Sequence, residues 1–194
     1  MRQDRRDILA SGLIATVGFT LPRTSAAQEL AATPECRSGT SATLRQTEGP
    51  FYKPNTPERS DLIEAGMPEQ VIELTGFVLT RGCQPVTRAI VDLWHADGTG
   101  AYDTRGFRLR GHQFTDAAGR FRFRTVVPAI YPGRTRHFHV KVAGASRLVL
   151  TTQLYFPNDP GNASDGLFRK ELLMRVTPVG SGLSARFDFV LDTA

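Results

Sequence analysis

Past its first 27 residues the chain has no apolar run near the roughly 18 residues that a membrane-spanning helix requires. It has no internal repeat and no low-complexity tract, so repeat arrays are set aside. Length leaves room for one domain with a sizeable core and is short for two. Cysteine is scarce: Cys36 and Cys83 are the only two in 194 residues. Charge of one sign is scarce as well. Without the first 27 residues, 24 basic and 19 acidic side chains become 20 and 17, and the formal charge falls from +5 to +3. A balance that mild argues against nucleic acid as a partner.

What is present begins with a leader. Residues 1–27 combine a charged start, a 14-residue apolar stretch at 8–21 and the small residues Ser25, Ala26 and Ala27, the pattern of an export signal. Arg5 and Arg6, followed by Asp7, Ile8 and Leu9, resemble the bacterial twin-arginine type, which exports folded proteins; an ordinary secretory signal is the alternative. The expected destination is periplasmic or extracellular. In an oxidising compartment two thiols pair more often than they stay free, so a Cys36–Cys83 disulfide is expected. Closing a loop of about 48 residues contributes roughly 4 kcal/mol in the chain-entropy account.

Residues 28–70 are rich in Ser, Thr, Pro, Gly and charge without sustained periodicity, and read as an extended N-terminal arm with at most a short helical turn at 61–65. From residue 71 the texture changes. "VIELTGFVLT", "AIVDLWHA", "FRLRGHQFT", "RFRFRTVV", "HFHVKV", "LVLTTQLYF" and "ARFDFVLD" are short runs with period-two alternation, punctuated by Gly, Pro, Asp and Asn. The expectation is an all-β chain, a β-sandwich of about 7–8 strands over residues 71–194. "LFRKELLMRV" reads as either a short helix or an eighth strand. The alternation of Arg with Phe in "RFRFR" is that of a sheet with one wet face.

Chemistry concentrates in "YPGRTRHFHV", residues 131–140, which holds two of the chain's four histidines. Alternate side chains of a strand share a face, so His137 and His139 project together, about 6.5–7 Å apart along the backbone. An isolated pair of this kind reads first as an exposed edge-strand pair. Three neighbours shift the weight toward a metal: Tyr131 six residues upstream, Arg134 on the Pro-Gly turn, and Tyr102 at the end of the Gly-rich "HADGTGAYD". Imidazole suits several transition ions, whereas phenolate demands a strongly acidic cation, because free phenol ionises only near pH 10. Ferric iron meets both demands. Zinc prefers Cys, His and carboxylate.

The ordered series "TEGPFY", "VDLWHADGTGAYD", "RGHQFTDAAGRFRFRTVVPAIYP", "RHFHVKV" and "LTTQLYF" resembles the intradiol ring-cleavage dioxygenases, the compact exported branch of that family. The resemblance implies a non-haem Fe(III) held by Tyr102, Tyr131, His137 and His139, with Tyr131 and His139 axial and Tyr102 and His137 equatorial. It implies that Arg134 lies over the substrate ring, that Gln153 hydrogen-bonds near the metal, and that Thr47 and Pro50 line the pocket wall. The substrate it implies is a small aromatic diol, cleaved with O2 between its hydroxyl-bearing carbons to a muconate-type diacid. Tyr131 would be the general base.

The sequence also departs from the family. Many members carry Arg-Pro-Ala before the His-x-His pair and a longer segment ahead of it, where this chain has Arg-Thr-Arg. The long helical N-terminal region of the catechol-type dimers is missing, so their interface is not carried over and the oligomeric state stays open. Arg136 is a rival to Arg134 at the wrong offset. Arg108, Arg110 and Arg134 are candidates to meet a ring carboxylate. His95 and His112 read as hydrogen-bonded structural residues, and Tyr52 and Tyr155 as pocket or core residues outside the ligand set. Two other readings stand on the sequence: a secreted sandwich that binds carbohydrate or a protein partner, and a zinc or copper enzyme on the same residues.

Overall fold

The computed structural model describes residues 36, 40–144 and 149–193; the export signal read at 1–27 and the start of the arm lie outside them. Nine strands build two sheets. The first holds β1 (Val71–Thr80), β4 (Arg120–Val126), β7 (Arg175–Val179), β8 (Gly182–Arg186) and β9 (Phe189–Leu191), in the order β4-β1-β8-β7, with β9 also paired to β1. The second holds β2 (Ile90–Trp94), β3 (Arg110–Phe114), β5 (His137–Ala143) and β6 (Val149–Tyr155), in the order β3-β2-β5-β6. The fold is an all-β sandwich, and no α-helix occurs among the described residues.

The strand count exceeds expectation because "ARFDFVLD" does not stay in one strand. After pairing parallel with residues 72–75 of β1 as β8, the chain breaks at Phe187 and Asp188 and resumes as β9 alongside residues 78–80. At the break the Asp188 carboxylate accepts the Phe77 N–H at 3.0 Å, replacing a ladder bond. The break needs Gly76: a Cβ there would lie 1.7 Å from the Phe187 carbonyl oxygen. "LFRKELLMRV" resolves into a 3-10 turn at Lys170–Leu172 followed by the start of β7. The helical turn expected at 61–65 is absent; Asp61 bridges to Arg124 instead, and its carboxylate pairs with that guanidinium at 3.0 Å.

Period-two alternation fixes which side chains meet. In β4, Phe121 and Phe123 enter the core while Arg120, Arg122 and Arg124 face water and pair with Asp116, Glu73 and Asp61. Exposed pairs of this kind contribute about 0–1 kcal/mol each, so burial carries the stability. From the second sheet Leu93, Phe138, Val140, Val142 and Leu154 meet Ile72, Leu74, Val78 and Phe189 of the first. Burying a side chain such as Phe138 contributes roughly 1.5–3 kcal/mol.

β5 is buried on both faces for most of its length. Phe138, Val140 and Val142 turn to the core, and His137, His139 and Lys141 turn to the outer face of the second sheet. Residues 43–56 lie across that outer face. The Gln46 N–H donates to Thr151 O at 2.8 Å, Glu48 pairs with Lys141, and the Thr56 hydroxyl donates to Asp92 Oδ1 at 2.9 Å. Farther back, the Thr43 N–H donates to Val190 O at 2.9 Å. Cys36 and Cys83 are joined by a disulfide with a Cα–Cα distance of 5.6 Å. The functional residues therefore sit between a sheet and the segment laid over it, outside the main core.

Candidate functional site

Strand register brings the two histidines to the middle of the covered face. His139 lies opposite Trp94 of β2 on one side and Gln153 of β6 on the other, and His137 lies opposite Tyr155. Their Nε2 atoms are 3.1 Å apart. The His137 Nδ1–H donates to the Thr135 carbonyl at 2.7 Å, which leaves Nε2 as a lone-pair acceptor. The His139 ring stacks on the Trp94 indole, 5.0 Å between centroids and 8° from parallel. The covering segment passes so close that a Cβ at Gly49 would come within 3.3 Å of His139 Cε1, and Gly49 adopts φ +72°. Burial pushes the His137 imidazole down to about 4 and that of His139 well below its ordinary range, so both are neutral at neutral pH, the form that ligates a metal.

Tyr102 is delivered by a loop that Asp97 closes on itself. One oxygen of that carboxylate accepts the Thr99 N–H at 2.8 Å and the Ala101 N–H at 3.1 Å. The Tyr102 Oη then sits 3.3 Å from His137 Nε2. Phe51 stacks on the Tyr102 ring at 4.5 Å and meets Tyr131 edge-on at 5.5 Å. The Tyr102 and Tyr131 rings are themselves edge to face at 5.9 Å. Burial raises the Tyr102 phenol well above its ordinary value, against the pull of Arg134 and Arg110. It is a phenol until a strong cation compensates its charge.

Arg134 turns back from the 131–134 turn, where its N–H donates to Tyr131 O at 2.9 Å. Its Nε donates to Asp165 Oδ2 at 2.9 Å and an Nη donates to Gln153 Oε1 at 2.5 Å. Gln153 Nε2 in turn donates to the Thr47 carbonyl at 2.9 Å. The buried Tyr155 hydroxyl lies 3.1 Å from Gln153 Oε1, 2.8 Å from Gln46 Oε1 and 2.9 Å from Leu167 O, three acceptors for its one proton. Thr47 thus reaches the site through its backbone. Pro50 is exposed, and its neighbour Phe51 makes the ring contacts.

The remaining candidates separate cleanly. Arg136 pairs with Asp159 at 3.6 Å, and Arg108 pairs with Asp97 at 3.1 Å. Arg110 is 1% exposed, so the wet-face reading does not extend to it. His95 donates from Nδ1 to the Ala96 carbonyl and accepts the Thr125 hydroxyl at Nε2, both at 2.7 Å. His112 approaches the Thr56 hydroxyl at 3.2 Å. Tyr52 packs against Trp94 and beneath the Lys141 ammonium. Sequence reasoning missed Trp94, Phe51, Thr135 and Asp165. Only the odd-even offset that places Trp94 on the His95-free face of β2 could have signalled one of them.

Do these residues fit a ferric ion? Bonds of about 2 Å to a common ion place neighbouring donor atoms about 3 Å apart. Tyr102 Oη, His137 Nε2 and His139 Nε2 show that spacing, at 3.1 and 3.3 Å. Among the described residues no group of three His, Cys, Asp or Glu is arranged to hold a metal, so an ion here depends on the phenols. The buried Arg110 has both terminal nitrogens without a hydrogen-bond partner. That spare positive charge favours an ionised Tyr102 phenol, and the three donors fit such an ion.

The family model described as "Dioxygenase" matches residues 47–193. The chain is 36% identical over 151 residues to a protocatechuate 3,4-dioxygenase beta chain of Burkholderia cepacia, covering 62% of this chain and 63% of that one. It is 31% identical over 144 residues to a catechol 1,2-dioxygenase of Acinetobacter lwoffii, covering 61% of this chain and 52% of that one. Among solved structures, the dioxygenase domain of a dioxygenase carbohydrate-binding fusion from the cellulolytic bacterium Streptomyces sp. SirexAA-E matches with a TM-score of 0.78 at 51% identity, over 79% of this chain and 100% of that one. The 3-chlorocatechol 1,2-dioxygenase of Rhodococcus opacus 1CP matches with a TM-score of 0.75 at 26% identity, over 79% of this chain and 73% of that one. With its ordered motifs spread across that matched length, the chain belongs to the intradiol dioxygenase family.

Proposed function

We propose that this protein is an Fe(III)-dependent intradiol dioxygenase that opens a catechol-type ring between its two hydroxyl-bearing carbons and incorporates both atoms of O2 into a muconate-type diacid. The observation that carries the reading is His137 Nε2 lying 3.3 Å from Tyr102 Oη and 3.1 Å from His139 Nε2, with the Tyr131 ring beside the Tyr102 ring. Tyr102, Tyr131, His137 and His139 would hold the ion. Bound there, ferric iron would supply a Lewis acid for both diol oxygens and an electron acceptor that makes the ring reactive toward O2.

The chain's own residues supply the rest. Tyr131, on a turn and half-exposed, is placed to yield to the diol and take up one of its protons at Oη. Arg134 presents a fixed cation to negative charge developing on the ring, and Gln153 holds that cation in place. Trp94 stacks on the His139 ring, and Gly49 passes close to its Cε1 edge. Phe51 packs against both phenol rings. A leader at 1–27 would carry the enzyme out of the cytoplasm, a setting that suits aromatics met extracellularly.

The test is to load the purified mature protein with iron, measure its metal content and visible spectrum, then add catechol under air. One iron per chain, a tyrosinate absorption band that moves on catechol addition, and uptake of one O2 per ring are the expected results. A colourless protein that takes up no iron overturns the reading. Tyr131→Phe should keep iron and lose most turnover, and full activity in that variant removes the base role. His139→Ala should release iron on dialysis, and wild-type occupancy removes the ligand role.

A further inference from the structure

The Arg-Thr-Arg at 134–136 leads directly into His137, and one short segment grips all three residues. Arg136 pairs with Asp159, the Thr135 hydroxyl donates to Asn162 Oδ1 at 2.8 Å, and Arg134 pairs with Asp165. The Asp165 side chain is 2% exposed. Its Oδ2 accepts two donors from consecutive residues, the Arg134 Nε–H at 2.9 Å and the Thr135 backbone N–H at 3.0 Å. Its Oδ1 is fixed by the Leu167 N–H at 2.8 Å. The Thr135 carbonyl is the group that takes the His137 Nδ1–H and so determines which ring nitrogen carries the lone pair.

We propose that Asp165 is a positioning residue: one buried carboxylate sets both the direction of the Arg134 guanidinium and, through the Thr135 peptide, the orientation of His137. The inference rests on the dioxygenase reading for the role of Arg134, but the contact itself does not. Guanidinium geometry makes it specific. With Nε held by Asp165 and an Nη held by Gln153, the planar group cannot rotate, and its remaining N–H bonds stay directed away from both partners. Gln153, which holds the guanidinium, lies opposite His139 in the strand register, and that places Arg134 beside the cluster. The arrangement needs a residue other than proline at position 135, because proline has no N–H to give. A carboxylate with this double grip suits a chain that has Arg-Thr-Arg at this point.

Two measurements test the proposal, one of them without turnover. In the metal-free protein, Asp165→Asn should speed solvent exchange of the Thr135 amide and the Arg134 Nε–H on the order of 10-fold or more, as expected for losing a charged acceptor. Unchanged exchange at both protons overturns the proposal, whatever the protein proves to catalyse. In the iron-loaded enzyme, Asp165→Asn should lower kcat/KM for catechol on the order of 100-fold. Combined with Arg134→Gln it should cost clearly less than the two single losses multiplied, because the share that runs through Arg134 is already gone; two losses that multiply in full mean that Asp165 does not act through Arg134 and overturn it. Should Asp165→Asn fail to fold, Arg134→Lys decides. It keeps the charge without the Nε fork, so it should lose nearly as much as Arg134→Gln, and activity within about twofold of wild type overturns positioning. If no catechol is cleaved by the wild type, the dioxygenase reading falls and amide exchange alone judges the contact.

Discussion

Acid should unfold the metal-free protein early, and a histidine outside the cluster allows the effect to be isolated. His95 is 1% exposed, lies edge-on to Phe138 at 4.8 Å, and has both ring nitrogens engaged. Its Nδ1–H goes to a carbonyl, so a second proton on Nε2 would confront the Thr125 hydroxyl that now donates to it. Burial pushes this imidazole down to about 4 from an ordinary 6.5. In the unfolded chain His95 takes up its proton below 6.5, whereas in the fold it refuses the proton until about 4. Its contribution is therefore fully present above pH 6.5 and is lost as the pH falls from there toward 4. At 1.36 kcal/mol per pH unit that loss amounts to about 3 kcal/mol, with a slope approaching about 1.4 kcal/mol per pH unit inside the window. His137 and His139 titrate in the same direction, so the wild-type slope is steeper than this and only the difference reports on His95. The assay is urea unfolding with a chelator present at pH 7.5, 6.5, 5.5 and 4.5, for wild type and His95→Gln. The variant's stability should fall less steeply, by about 1.4 kcal/mol per pH unit between pH 6 and 4.5. Parallel curves would refute the reasoning and show that His95 titrates in the fold as it does in the unfolded chain.

The disulfide and the strand break offer two further tests. Replacing Cys36 and Cys83 with serine removes a link spanning 47 residues of sequence, and urea unfolding should register a loss of up to about 4 kcal/mol, matched by adding reductant to the wild type. Gly76→Ala drives a methyl group into the Phe187 carbonyl, and circular dichroism melting should show a loss of about 3 kcal/mol or more; a melt within a degree of wild type would mean that β8 and β9 join differently.

Alternation made most of the strands readable before any coordinates. The Phe and Arg positions of "RFRFR" go to opposite faces of β4, and the same rule put His137 and His139 on one face. It failed where alternation ran through a change of partner, as in "ARFDFVLD", because the switch from β8 to β9 is made by Asp188 bonding to Phe77, more than 100 positions away. Residues 61–65 form no helical turn for a similar reason: Asp61 is held by Arg124 of β4, a partner its own neighbourhood does not reveal. At the site, ligand-type residues carried a local signature and their supports did not. Trp94 is an ordinary strand aromatic until the register puts it against His139, and Asp165 is an ordinary turn residue until the fold brings it to Arg134.

The segment laid over the second sheet comes early in the chain, yet its partners come late. Val190 donates to the Thr43 hydroxyl across 147 positions, and Gln46 donates to Leu167 across 121. On the ribosome, the first-made part of this cover must wait until nearly the whole polypeptide has emerged. The first sheet shares that wait, since β1 pairs with β8 and β9 more than 100 positions on, so the paired imidazoles should stand open to solvent until the last strands are in place.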